Sequence, residues 1–296
     1  MAKKGSVGKT ILKIIFGIII TIGFIFIGLY CYLKFALGID IFDIKNKLSL
    51  LNKPVNQSTL ITQSFTEDDG LNVIESMYGE NNIYSRNGDE IVFNFDVFVA
   101  SDILEQQTLT DEQLASLFSV FFENVDYTKL GLQENYSQFL SVKQIKFSNL
   151  TTSADSTSVD INYVIKLDIE DLQEELMSES GIIAFIIDTF LPDNLFISST
   201  FNISIPKDAY ENYVITDKSF LINNLSQQQT NEVLELVNLI SKEDLKSTLP
   251  SNVNTMLCDL LFGGQGSAGL ISSIKDIGGI EFCQTADGIA IVIKKV

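Results

Sequence analysis

The sequence predicts an α+β protein in which one N-terminal transmembrane helix precedes an extracytoplasmic domain of antiparallel strands, with helices in a strand–strand–helix repeat. Three observations carry that expectation. A run of 20 uncharged residues, Ile14–Leu33, follows a flank of four lysines. Several later segments alternate apolar and polar residues with the period of a strand. Others open on polar capping residues and continue with apolar residues three and four apart, the spacing of a helix that buries one face.

The first run sets the topology. Twenty residues at 1.5 Å rise span about 30 Å, the thickness of a bilayer's hydrocarbon core. Lys3, Lys4, Lys9 and Lys13 lie before the run, and the first acidic residue, Asp40, lies after it. Positive flanks stay inside, so the N-terminus is expected in the cytoplasm and the rest beyond the cell membrane. The chain of 296 residues carries a net charge of −18, and from Ile39 onward 15 basic and 38 acidic residues leave −23. The expected division is a basic tail (1–13), the span (14–34), a juxtamembrane helix or stalk (35–54) and the outer domain (55–296). Ala36-Leu37-Gly38 has the small-x-small form of a cleavage site, but the length of the span and Lys34 favour a retained anchor. Cys31 is not a lipoprotein cysteine, because Tyr30 stands where a small residue is needed. Gly8-Lys9-Thr10 mimics the end of a phosphate-binding loop, but Lys3 replaces its first glycine and no strand precedes it.

Composition removes whole classes of chemistry. The chain has no His, no Trp and three Cys. Without His there is no Ser-His-Asp or Cys-His catalysis, no HExxH zinc site and no imidazole switch. The acidic balance argues against a nucleic-acid partner. No metal or other cofactor is expected. Cys258 and Cys283 allow two readings that stay open, one disulfide or two thiols.

Past the span, Leu37, Ile41, Ile44, Leu48 and Leu51 recur at heptad spacing up to Lys53-Pro54. This is either an amphipathic helix packed on its own domain or membrane, or a homodimer seam over 37–51. Two heptads favour the former. Arg86-Asn87-Gly88-Asp89 carries an Asn-Gly turn signal, and Glu90–Phe98 reads as a strand with Ile91, Phe93, Phe95 and Val97 on one face. Thr110-Asp111-Glu112-Gln113 is a capping box opening a helix whose stripe is Leu114, Leu117, Phe118, Phe121, Phe122 and Val125. Val142–Leu150 and Ser158–Ile169 read as a hairpin, with Asp160, Asn162, Lys166 and Asp168 on a solvent side. A helix over Glu170–Leu191 ends at Pro192. Leu195–Ile205, Tyr213–Asn223 and a helix from Ser226 then repeat the unit. A short helix around Val253–Leu261, a Gly-rich link and a hairpin across Thr285–Gly288 end the chain.

Few motifs carry chemistry. Asp68-Asp69, Glu170-Asp171 and Glu174-Glu175 are carboxylate pairs, but the latter two fall in the first turns of an expected helix, where acids complement its dipole. Ser272-Ser273-Ile274-Lys275 has the Ser-x-x-Lys spacing without its Lys-Thr-Gly partner. Asn56, Asn135, Asn149, Asn202 and Asn224 head sequons that matter only in a eukaryotic secretory pathway. No nucleophile–base pair emerges, so a non-enzymatic role is expected. Gly181–Leu191 is apolar on nearly every side and too short to span a bilayer. Such a helix is either buried or lines a site. In the second case Ile182, Ile183, Phe185, Ile186 and Phe190, with Phe118 and Phe122, would line a site for an apolar ligand.

The polar helix starts Leu109-Thr110-Asp111-Glu112-Gln113-Leu114 and Leu225-Ser226-Gln227-Gln228-Gln229-Thr230, set in the strand–strand–helix repeat, resemble uncharacterised single-pass envelope proteins of low-GC Gram-positive bacteria. Some of those are similar to tubular lipid-binding folds, in which a curved antiparallel sheet wraps a long helix. The resemblance covers residues 90–241 and transfers no binding residues. It implies an anchored protein that binds lipid or another apolar envelope molecule. The alternative is a scaffold for a protein partner in envelope assembly or division.

Overall fold

The computed structural model describes residues 45–47, 49–79, 82–88, 90–124, 140–169, 192–207, 209–241, 244–262, 271 and 277–295. The expected basic tail and span (1–34), most of the juxtamembrane segment, the helix over Glu170–Leu191 and the Gly-rich link lie outside them. Among the described residues no helix is long and apolar enough to cross a membrane.

The elements begin with α1 (Gln57–Leu60) and α2 (Glu67–Tyr78). Thr66 caps α2 reciprocally: its backbone N–H donates to Asp69 Oδ2 at 2.7 Å, and the Asp69 N–H donates to Thr66 Oγ1 at 3.3 Å. β1 (Tyr84–Asn87) and β2 (Glu90–Phe93) form a hairpin whose tip holds Gly88 at φ +69°, a conformation glycine adopts freely. The expected strand through Phe98 stops at Phe93. Asn94 takes over as a helix cap, its Oδ1 accepting the Val97 N–H at 3.2 Å, and Phe95–Ala100 forms α3. The local cap overrides the two-residue alternation, and the helix buries Phe98.

After β3 (Gln107–Thr110), α4 (Asp111–Asn124) starts on the expected capping box. Thr110 N–H donates to Gln113 Oε1 at 3.0 Å and Gln113 N–H returns to Thr110 Oγ1 at 3.2 Å. Leu114, Leu117, Phe118, Phe121 and Phe122 are all buried, as the stripe requires.

Four strands follow as one meander in the order β4-β5-β6-β7: β4 (Leu140–Thr152), β5 (Ser156–Asp168), β6 (Asn194–Pro206) and β7 (Val214–Ile222). α5 (Gln227–Ser241) opens on a second glutamine capping box, Ser226 with Gln229. α6 (Leu245–Phe262) is longer than its sequence suggests and carries Pro250 inside. β8 (Ile277–Thr285) and β9 (Gly288–Lys295) close the chain, and β3 pairs with β9 to give a second sheet in the order β3-β9-β8. The two sheets meet where Phe147 and Phe282 stack edge to face at 5.3 Å. One continuous core runs through α2, α4, the inner face of the meander, α6 and the second sheet.

One further expectation needs correction, and two open readings gain an observation. Asp160 is only 3% exposed, and Val164 and Phe196, its neighbours on the same sheet face, are also buried, so the meander has no uniformly wet side. Leu51 packs with Leu225 and Val233 of its own domain, and Asn223 Nδ2 donates to its carbonyl at 3.0 Å, so this heptad position is taken within the chain. Cys258 is buried and Cys283 partly so, and both are free thiols.

The Asp160 node supplies a pH dependence. Burial pushes its carboxyl up. Hydrogen bonds from Lys218 (2.5 Å), Asn149 (2.8 Å) and Asn202 (2.8 Å), with the Lys218 charge, outweigh that and hold it below its ordinary value. A depressed carboxylate stabilises the fold above the unfolded value, near 3.8, and loses that contribution as pH falls through the lower folded value. Acid unfolding of wild type is therefore expected to steepen below about pH 4, and an Asp160→Asn variant to lose that part of the slope. Urea midpoints between pH 3 and 6 read both, and parallel pH profiles would refute the assignment.

Candidate functional site

Helices α2 and α4 cross closely because Gly70 has no side chain: a Cβ there would stand 2.4 Å from the Ser116 carbonyl oxygen. Beside this crossing the two helix starts frame a cleft of about 470 Å3, within the range of small-molecule sites. Its floor includes the buried Val73 and Ser116, and Phe65 is half-buried in its wall. Ser64, Asn72, Ser76, Thr110 and Gln113 supply hydroxyls and amides. Asp69 and Glu112 are its acids, and among the described residues no lysine or arginine lines it.

The local folding explains why these groups gather. Each capping box pins one helix start, so Asp69 and Gln113 are both helix-start and cleft-lining residues. The backbone N–H of Thr66, then its hydroxyl, hold the Asp69 carboxyl below its ordinary value, so it stays ionised at neutral pH. Arg86 does not line the cleft; it pairs with Asp68 and stands 3.7 Å from Glu67. The cleft is thus a hydrophilic recess of negative sign, suited to hydroxyl- or amine-bearing groups and unsuited to anions.

Of the expected apolar site, only Phe118 and Phe122 lie among the described residues. Phe118 and Phe122 stack at 5.4 Å and are fully buried in the core, where Phe93, Phe98 and Phe121 join them; neither lines the cleft. Ile182, Ile183, Phe185, Ile186 and Phe190 lie outside the described residues. Sequence reasoning missed Ser64, Phe65, Asn72, Ser76 and Ser116; the available signals were the Thr66 and Thr110 caps and the small residues Gly70 and Ser116 on facing helices. Among the described residues no group of three or more Cys, Asp or Glu is placed to hold a metal ion.

No protein-family model matches this chain, and no curated protein or solved structure matches it. The class is that of the fold itself: α+β, with a four-stranded antiparallel meander, a three-stranded antiparallel sheet and helices packed against them.

Proposed function

We propose that this protein is a single-pass, membrane-anchored extracytoplasmic binding protein without a catalytic role, and that its ligand enters the cleft between α2 and α4. The single observation that supports the binding role is the cleft's lining among the described residues: a floor of Val73 and Ser116, five further hydroxyl or amide residues, two acids and no base. The anchor rests on Ile14–Leu33 and its four-lysine flank. The lining favours a hydrophilic ligand, neutral or cationic, over an acyl chain, because burying polar walls against hydrocarbon leaves them unsatisfied. An apolar ligand would instead draw on Gly181–Leu191.

Ser76 lies exposed at the cleft, and Ser76→Trp fills the recess without touching the core. The test is a thermal shift of the full chain in detergent with three probes: the N-acetylglucosamine trisaccharide, spermidine and phosphatidylglycerol micelles. The trisaccharide or spermidine is expected to raise the melting temperature of wild type and not of Ser76→Trp. A shift with phosphatidylglycerol alone, equal in both proteins, would overturn the cleft assignment and favour the apolar reading.

A further inference from the structure

Among the described residues β4 is an edge strand of 13 residues, and such an edge is a template for pairing with another chain. Two of its backbone donors are already taken by side chains. The Ile145 N–H donates to Gln63 Oε1 at 2.9 Å, and the Phe147 N–H donates to Asp111 Oδ2 at 3.2 Å. Gln63 belongs to the strap 61–66 between α1 and α2, which a second contact ties down: the Thr62 N–H and hydroxyl donate to Gln144 Oε1 at 2.8 and 3.0 Å. Asp111 is the first residue of α4, whose packing on β4 places its carboxylate at the strand. The strand's only charges are Lys143 and Lys146, in a domain that is otherwise strongly acidic. The opposite edge is treated alike: Gln227 Nε2 donates to the Phe220 carbonyl at 3.2 Å, and the Ile222 N–H donates to Thr230 Oγ1 at 3.3 Å.

We propose that Gln63 and Asp111, with Lys143 and Lys146, are guards that keep the β4 edge from pairing antiparallel with β4 of a second copy of this chain. The two acceptors occupy the donors that a second strand would need. A symmetric antiparallel pair centred near residue 146 brings the two copies' Lys146 side chains together, and like charges across a strand pair repel; Lys143 is the lesser guard, since Glu123 stands 3.6 Å from it. A self-pairing edge is the fitting hazard, because a two-fold axis lets one strand satisfy its own copy along its length. This goes beyond ligand binding at the cleft and does not depend on it. It also means that a protein partner of this domain docks on side-chain surfaces, not by adding a strand at residues 145–147.

The test uses the full chain in detergent, with amide exchange at Ile145 and Phe147 and sedimentation over a range of concentrations. In Gln63→Ala/Asp111→Ala both amides are expected to exchange about tenfold faster than wild type. The variant is also expected to form dimers that increase with concentration. Gln63→Glu/Asp111→Asn keeps an acceptor at each position and is expected to behave as wild type. Fast exchange with wild-type sedimentation would overturn the guarding role, and unchanged exchange would overturn the bonds themselves. If the double variant does not fold, Gln63→Ala alone serves: faster exchange at Ile145 with a smaller dimer fraction supports the proposal, and no change in either overturns it.

Discussion

Replacing Gly70 with alanine is expected to destabilise the domain by about 2 kcal/mol, lowering its melting temperature by about 4–8 °C. The usual effect of this exchange in a helix has the opposite sign, a gain of about 1 kcal/mol from helix propensity. Here the new methyl group would stand 2.4 Å from the Ser116 carbonyl oxygen and 2.5 Å from Val120 Cγ2. A backbone oxygen cannot rotate away, so α2 and α4 must separate, and overpacking of this kind outweighs the propensity gain. Ser76→Ala in the same helix is the control. It loses only the hydrogen bond from its hydroxyl to the Val73 carbonyl of its own helix, so its stability is expected to stay near wild type. A Gly70→Ala variant as stable as Ser76→Ala would mean that the crossing is looser than described. Because the cleft lies beside this crossing, Gly70→Ala is also expected to weaken binding of whichever probe the wild type takes.

Asn254→Leu is expected to cost about 3 kcal/mol or more. Asn254 sits on α6 with no exposure and serves three groups of the meander. Its Oδ1 accepts from the Tyr163 hydroxyl at 2.9 Å and lies 2.9 Å from the Ser199 hydroxyl, which also reaches the Ser219 carbonyl. Its Nδ2 donates to Asp217 Oδ1 at 2.7 Å. Leucine removes the amide acceptor of the buried Tyr163 hydroxyl, leaves it only the Ser199 hydroxyl, and strips Asp217 of its amide donor; a buried polar group left short of a partner costs about 1–3 kcal/mol. The informative partner is Tyr163→Phe. If the network is the cause, Tyr163→Phe/Asn254→Leu recovers part of the loss, because removing both partners costs less than removing one. Strict additivity in urea unfolding would contradict the network.

These residues also show what the sequence reveals. The helix starts were legible because a capping box is local: Thr110 with Gln113 and Ser226 with Gln229 lie three residues apart and satisfy each other. The inner face of β5 was legible because Val159, Ile161, Tyr163 and Ile165 alternate without interruption. Asn94 was misread because alternation continues through Phe95 and Val97, and only the cap at Asn94 ends it. Asp160 was assigned to solvent because a charge in an alternating strand normally faces out. Its burial depends on Asn149, Asn202 and Lys218, which come from three other strands. The cleft was invisible for the same reason. Ser64–Ser76 and Thr110–Ser116 meet only through the α2–α4 crossing, and scattered Ser, Asn and Gln carry no periodic signal. The pairing of β3 with β9 joins residues about 180 positions apart, beyond the reach of any local pattern.

We propose that the acidic domain is displayed outside the cell on an anchor whose N-terminus stays inside. The most direct measurement is labelling of single introduced cysteines by a membrane-impermeant maleimide, before and after permeabilisation. Ser85 is exposed on β1, and Ser6 lies in the basic N-terminal flank. Ser85→Cys is expected to label in intact cells and Ser6→Cys only after permeabilisation, with both chains staying in the membrane fraction. Labelling of Ser6→Cys but not Ser85→Cys in intact cells, or recovery of the domain in the soluble fraction with Ile39 at its start, would contradict it.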